Sequence, residues 1–309
     1  VDQIIDAMPI ADFTMLISKF LALLIIYSVL IVMLIFCGVV IQAAHGYTNF
    51  ELPLYFGTMF TATMSVMTLF TFLSVFIQVM VNNKFLGYAV VVGFFVVTLV
   101  FSAIGLEHPL FQFGGAELGT YSDMNVYGHF VTPFAWMDVY WFGFGGLLFA
   151  VAVFFSVRGT ESVIDIRWKA GKLRLNRTLL TFGLSALVIF LFSGFFIFYN
   201  TNLVNVYSNS DEDKKFQAEY EKTFKKFEFL NQPKIVESNL KIEIYPSSRD
   251  YVAEGYYWLK NKSTESIADV HIQYNPDKEY KIDYMKFDRE SVVKERFDKF
   301  GYYIYALTP

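Results

Sequence analysis

Cysteine is nearly missing from this sequence. Cys37 stands alone among 309 residues, inside an apolar run, so no disulfide framework holds the chain. Histidine is scarce as well: His45, His108, His129 and His271 are isolated, and no His-Glu-x-x-His pair occurs. No Gly-x-x-x-x-Gly-Lys-Ser/Thr loop is present either, so these residues alone build neither a zincin-type metal site nor a Walker-type ATPase. No cofactor is expected on this stretch. Charge is the third shortage. Charged residues make up 17% of the chain and hydrophobic ones 55%, with a mean hydropathy of +0.40; an ordinary soluble chain carries about 25% charge. The net charge of −4 offers no basic stripe, so a nucleic-acid partner is excluded.

The shortage is local. Residues 1–200 hold 8 of the 25 Lys/Arg and 10 of the 29 Asp/Glu, and the last 109 residues hold the remaining 17 and 19. Five charge-free runs are long enough to cross a bilayer, which takes about 20 apolar residues: Phe20–Ala44, Leu54–Val81, Phe85–Leu106, Val139–Val157 and Thr178–Asn200. Alternating sides places Lys19, Lys84, Arg158, Arg167, Lys169, Lys172, Arg174 and Arg177 on one face, while 44–53 and 107–138 carry no Lys or Arg. Short cytoplasmic connections are the basic ones. The N-terminus is therefore expected in the cytoplasm, with residues 201–309 extracytoplasmic and the lipid bilayer as the first partner. Aromatic clusters at 134–142 and 195–199 fall where the outer interface would lie.

Ionisable groups inside the spans are almost absent. Asp138 and Gln42 read as lying near span ends, close to water. Thr58, Thr61, Thr63, Ser65, Thr68, Thr71 and Ser74 run along span two, a pattern that serves helix packing more readily than a substrate path. Without a carboxylate relay, an ion-driven transporter is disfavoured. The loop 107–138 reads as a wet interfacial loop, because its His and acidic residues lack metal-ligand spacing. On the cytoplasmic side, 161–177 carries Val163, Ile166, Ala170 and Leu173 on one helical face, flanked by Arg167, Trp168, Lys169, Lys172 and Arg174. Two readings fit. It is a helix lying on anionic headgroups, or a docking element for a cytoplasmic partner in which Ile166, Arg167, Trp168, Lys169, Lys172 and Arg174 form the contact.

Beyond residue 200 the pattern changes. Ser210 precedes Asp211, Glu212 and Asp213, a helix start, and Phe216, Tyr220, Phe224 and Phe227 recur on one face up to about Leu230. From Ile235 the period is two. Strands are expected from 235, over 251–260 with a bulge at Gly255, over 267–274, over 279–287, and over 302–307 after a charged stretch 288–299. Asn261-Lys262-Ser263 matches a glycosylation acceptor and reads better as a turn. The expected class is an α-helical polytopic membrane protein of five spans (1–200), a linker helix (201–233) and an all-β antiparallel sheet or sandwich (234–309). Because the chain opens on Val1 and stops just after a strand, an internal piece of a longer protein is expected.

The stretch 240–270, with Gly255, Leu259, Asn261 and Ile267 in order, resembles the opening strands of the N-terminal β-domain of aminopeptidase N-like zinc metallopeptidases. Joined to a preceding membrane part, it resembles bacterial fusions of an ABC-type transporter permease with an outer aminopeptidase-like domain. That resemblance implies the bacterial cytoplasmic membrane, a separate ATPase subunit on the cytoplasmic face, and zinc in the full-length protein. The zinc motif and the Gly-x-Met-Glu-Asn segment of those peptidases are missing here, so this stretch is expected to be non-catalytic. The alternative is a membrane anchor for a tethered zinc aminopeptidase with no transport role.

Overall fold

The computed structural model describes residues 10–81, 83–156, 163–205, 207–248, 250–275 and 280–308. The chain falls into two units, 1–211 and 212–309.

The first unit is helical. Its long elements are α1 (Asp12–Ala44), α2 (Leu52–Val81), α3 (Lys84–Ala103), α4 (Val131–Phe155) and α6 (Arg177–Phe198), with the short α5 (Ile164–Arg174) between the last two. All five long elements are long and apolar enough to cross a membrane. They begin where the sequence supplies a start. Pro53 lies in the first turn of α2, and the Asn176 side chain accepts the Leu179 N–H at 2.8 Å to open α6. A π-turn, Met59–Thr63, interrupts α2 and ends two residues before Ser65, and a second, Tyr199–Val204, extends α6.

α4 is the hub. It packs most extensively on α6 and α2, and α2 also meets α1 and α3. Glycines set the α4–α6 distance: a Cβ on Gly143 would stand 2.8 Å from the Phe190 backbone nitrogen, and one on Gly146 3.0 Å from Ala186 Cβ. Small residues are what let two helix backbones approach this closely. Rings fill the rest. Phe149, fully buried, takes edge contacts from Phe13, Phe20, Phe72 and Phe182. The outward faces of α1, α3 and α6 stay apolar and exposed, as at Ile25, Leu99 and Phe192.

The second unit holds α7 (Ser210–Phe224) and five strands: β1 (Lys234–Tyr245), β2 (Asp250–Lys260), β3 (Asp269–Gln273), β4 (Ser291–Phe297) and β5 (Tyr302–Leu307). β3, β5 and β4 form an antiparallel sheet in that order. The aromatic face of α7 covers part of it, with Phe224 4.2 Å from Tyr302 and 5.3 Å from Phe300 between ring centroids. Gly301 takes the left-handed φ of +58° that turns the chain from the Asp298–Phe300 helical turn into β5.

β1 and β2 form a separate ribbon, exposed along its whole length. Its register puts Leu240 opposite Gly255, Ile242 opposite Ala253 and Ile244 opposite Tyr251 on one uncharged face. Lys241 opposite Glu254 and Tyr245 opposite Asp250 lie on the other. This is the alternation of a sheet built to cover one face.

Several sequence expectations change. The α-helix of α7 ends at Phe224, and Lys225–Phe227 is a 3-10 turn. The strand expected over 279–287 does not form: residues 280–287 belong to no ladder, and Glu279 lies outside the described residues. Both edges of β5 are taken, one by β3 and the other by β4, which comes from the charged stretch 288–299. Its Val292-Val293 pair favours a strand, and charges suit an exposed edge. Gly255 is not a bulge. The irregularities fall between Ile235 and Glu237 and between Val293 and Glu295. Gly255 is needed for another reason: a Cβ there would lie 2.0 Å from the Asn239 carbonyl oxygen.

Candidate functional site

The helical unit has two polar concentrations, one at each end of the α2–α4 contact. The first lies where α2 and α4 terminate. A helix end leaves its last carbonyls without intrahelical donors. Arg167 on α5 supplies them. Its Nε donates to Phe155 O at 3.1 Å, Nη2 to Phe155 O and Val79 O at 2.6 Å each, and Nη1 to Met80 O at 3.1 Å. One guanidinium thus caps two helix C-termini, where the backbone dipoles favour a cation. The residue is 4% exposed. Burial first, and the neighbouring Arg174 charge second, lower its pKa from the ordinary arginine value. Arg174, one face along, pairs with Asp12 at 2.5 Å and donates to Phe154 O at 3.3 Å, tying the start of α1 to the same end. Gly171 lets α5 lie this close, since a Cβ would meet Phe154 Cε1 at 2.6 Å.

α5 is therefore inside out. Its inward face is Arg167, Gly171 and Arg174, while Val163, Ile164, Ile166 and Leu173 point outward, Leu173 with 90% of its surface free. Trp168 is half-covered. Its ring lies 5.3 Å from that of Phe154, and Lys172 Nζ sits 5.8 Å from the Trp168 centroid. Of the six residues singled out from sequence, Ile166, Trp168, Lys169 and Lys172 share the exposed side, whereas Arg167 and Arg174 are turned into the bundle. Glu161 and Ser162, which open the segment 161–177, and Arg158, counted among the basic residues, lie outside the described residues.

The second concentration is the Ser65–Asp138 pair. Ser65 Oγ donates to Asp138 Oδ1 at 2.7 Å, joining α2 to α4. Asp138 lies 7 residues past Val131, about two turns into α4, and is partly exposed. Thr68 and Thr71 of the hydroxyl run turn back to the carbonyls of Met64 and Met67. Thr58 reaches Tyr127 at 3.0 Å. Beside the pair, the buried Trp141 indole N–H finds no hydrogen-bond partner among the described residues.

The loop after α3 is less wet than its composition implies. Phe113 and Ala116 are buried, with Phe113 5.1 Å from Trp141 and 5.6 Å from Phe70. His108 anchors its start. Nδ1 accepts the Leu110 N–H at 3.2 Å, and Nε2 lies 3.3 Å from Thr201 Oγ1 and 3.1 Å from the Asn202 amide. With Nδ1 accepting, the proton is off that nitrogen, and burial lowers this histidine's pKa. Among the described residues no three His, Cys, Asp or Glu side chains gather as a metal site.

Asp138 and the carbonyls under Arg167 were the partners sequence reasoning missed. An Asp in an apolar run facing a serine-bearing span was the available signal for the first. No protein-family model, curated protein or solved structure matches the chain.

Proposed function

We propose that the helical unit is the membrane-embedded, permease-like part of an ABC-type transporter, joined to an extracytoplasmic β-domain of aminopeptidase type, and that α5 is where a separate cytoplasmic ATPase docks. The observation that carries this reading is the inverted polarity of α5. A helix with its arginines fixed to helix ends and its apolar residues turned outward is a rigid platform with a face still to be covered. The gathering of basic residues at the same end supports a cytoplasmic placement.

Docking on a protein depends on apolar and aromatic anchors, here Ile166 and Trp168. Headgroup binding depends on the summed charge of Lys169, Lys172 and Arg177, at about 1 kcal/mol each. The test is co-purification of the ATPase subunit from the native host. Trp168→Ala with Ile166→Ala should abolish it while membrane insertion stays unchanged. Survival of co-purification in the double variant would make α5 a membrane-surface helix.

The anchor reading, a tethered zinc peptidase without transport, is favoured by the β1–β2 ribbon. Its uncharged face is suited to covering by further β-structure. A zinc-binding motif in the full-length reading frame with no ATPase partner would select it.

A further inference from the structure

Asp138 is a carboxyl group inside the α2–α4 contact, and its surroundings supply no positive charge. No basic residue forms an ion pair with it among the described residues. Its hydrogen bond comes from a neutral hydroxyl, Ser65 Oγ at 2.7 Å, and Ser65 itself is 6% exposed. The elements packed on α4 bring no substitute. From Met59 to Val81, α2 carries no titratable residue. The charged groups of α5, Arg177 of α6 and Asp12 of α1 cluster at the other end of α4, and Lys19 lies two turns from that end of α1. Tyr27 and Cys37 of α1 supply no cation. His129 sits in the turn before α4, and the Tyr140 hydroxyl is spent on Leu110 O.

We propose that Asp138 is the proton-binding group of the helical unit, and that its proton is the counter-charge that lets α2 and α4 close on each other. This rests on the reading that these helices cross a bilayer. An unpaired carboxylate there is costly, and intramembrane acids are retained where they do something. The contact is closed on the Ser65 side: Leu69 has no exposed surface, Met137 and Trp141 are buried, and Asp138 itself stays partly exposed. A proton is the one cation that needs no cavity. With the proton on Oδ2, Oδ1 still accepts from Ser65. When the proton leaves as a hydronium ion, the carboxylate must be hydrated on every side, and water reaches its buried Ser65 side by parting α2 from α4 at this end. The other end stays fixed, because Arg167 holds the C-termini of both helices. The two ties are about 20 Å apart along α2. Protonation at one end of a contact clamped at the other gives a hinge whose opening is set by proton occupancy. The π-turn Met59–Thr63, which ends two residues before Ser65, is where α2 already departs from regular geometry.

The experiment uses the full chain in lipid vesicles. Retention through an alkaline carbonate wash is checked first; loss there removes the membrane reading and this inference with it. On retained protein, infrared difference spectra at about pH 7, where exposed carboxyls are ionised, should show a protonated carboxyl C=O band. That band should vanish in Asp138→Asn and shift in frequency in Ser65→Ala. Emission from Trp141, with Trp136, Trp168 and Trp258 replaced by Phe, should change as the band titrates away with rising pH. A missing band, or one that persists in Asp138→Asn, overturns the proton assignment while leaving the membrane reading intact. A band that titrates without any change at Trp141 overturns the hinge. Should Asp138→Asn fail to fold, the frequency shift in Ser65→Ala decides the assignment.

Discussion

Arg167→Met removes the clamp while keeping a long apolar side chain. The wild-type guanidinium makes four hydrogen bonds to three carbonyls, Val79 O, Met80 O and Phe155 O. Hydrogen bonds to a charged group are worth about 1.5–3 kcal/mol each, but simple addition overshoots: Phe155 O accepts twice, and the helix ends can recruit water once the side chain is gone. Counting about 1–1.5 kcal/mol for each carbonyl stripped of its donor, with a few tenths from each helix dipole, gives a loss of about 3–5 kcal/mol. Arg167→Lys keeps the charge as a single point that cannot span three carbonyls, so its loss should be intermediate. The assay is reversible unfolding of the purified chain in mixed micelles, with protease sensitivity of α5 as a local readout. If Arg167→Met stays within about 0.5 kcal/mol of wild type, or if Lys and Met behave alike, the three-carbonyl clamp is refuted.

Other outcomes follow from the same geometry. Gly143→Ala, with its Cβ 2.8 Å from the Phe190 nitrogen, should cost about 1–3 kcal/mol, whereas Gly183→Ala, whose nearest neighbour is at 3.6 Å, should be silent in the same melts. If the basic connections are cytoplasmic, as their Lys/Arg content implies, a membrane-impermeant thiol reagent in a Cys37→Ser background should label cysteines at Met124 and Ser248 from outside but not at Leu173; labelling at Leu173 in intact cells defeats that topology. Leu173 is chosen as the inner probe because it is 90% exposed, whereas the neighbouring Gly171 is packed on Phe154. In the second unit, burial lowers the His271 pKa against the opposing pull of Asp269 and Glu295. The folded state then binds fewer protons than the unfolded one, so this stability is complete above about pH 6.5 and is lost as pH falls toward the folded value. Thermal melts of the second unit within the full chain should show that slope, and His271→Gln should flatten it.

The long elements were legible because apolar length is a one-dimensional property. Each run in the sequence lies largely within a long helix, with boundaries shifted where the chain stays helical through polar residues, as at Asp12 to Lys19. β5 was legible for a similar reason: Tyr302–Leu307 sits between a Gly turn and a polar end. The neighbours of β5 were not: 280–287 alternates and 291–297 does not, yet the second pairs, because pairing depends on a free edge that local sequence does not encode. The apolar stripe of α5 faces outward, as both sequence readings had it, but two of the basic residues beside it, Arg167 and Arg174, turn inward. Periodicity finds a face, but it does not say whether that face meets the protein. Here helix-end carbonyls, whose demand for donors no residue letter records, drew the arginines inward. Asp138 was discounted because its distance from the helix start depends on α4 beginning at Val131, earlier than the apolar run implies.

The clamp also imposes an order on biosynthesis. Arg167 lies 87 residues after Met80, whose carbonyl it caps. At about 5–20 residues per second, a ribosome takes roughly 4–17 s to deliver that donor. Through this interval the end of α2 lacks the donor that Arg167 supplies in the folded chain. α4, by contrast, is followed by its clamp within 12 residues. The chain is thus made with α2 waiting, and α5 closes both helices in one event as α6 begins to emerge. A defect at Arg167 would accordingly appear late, in chains whose earlier helices have already been made.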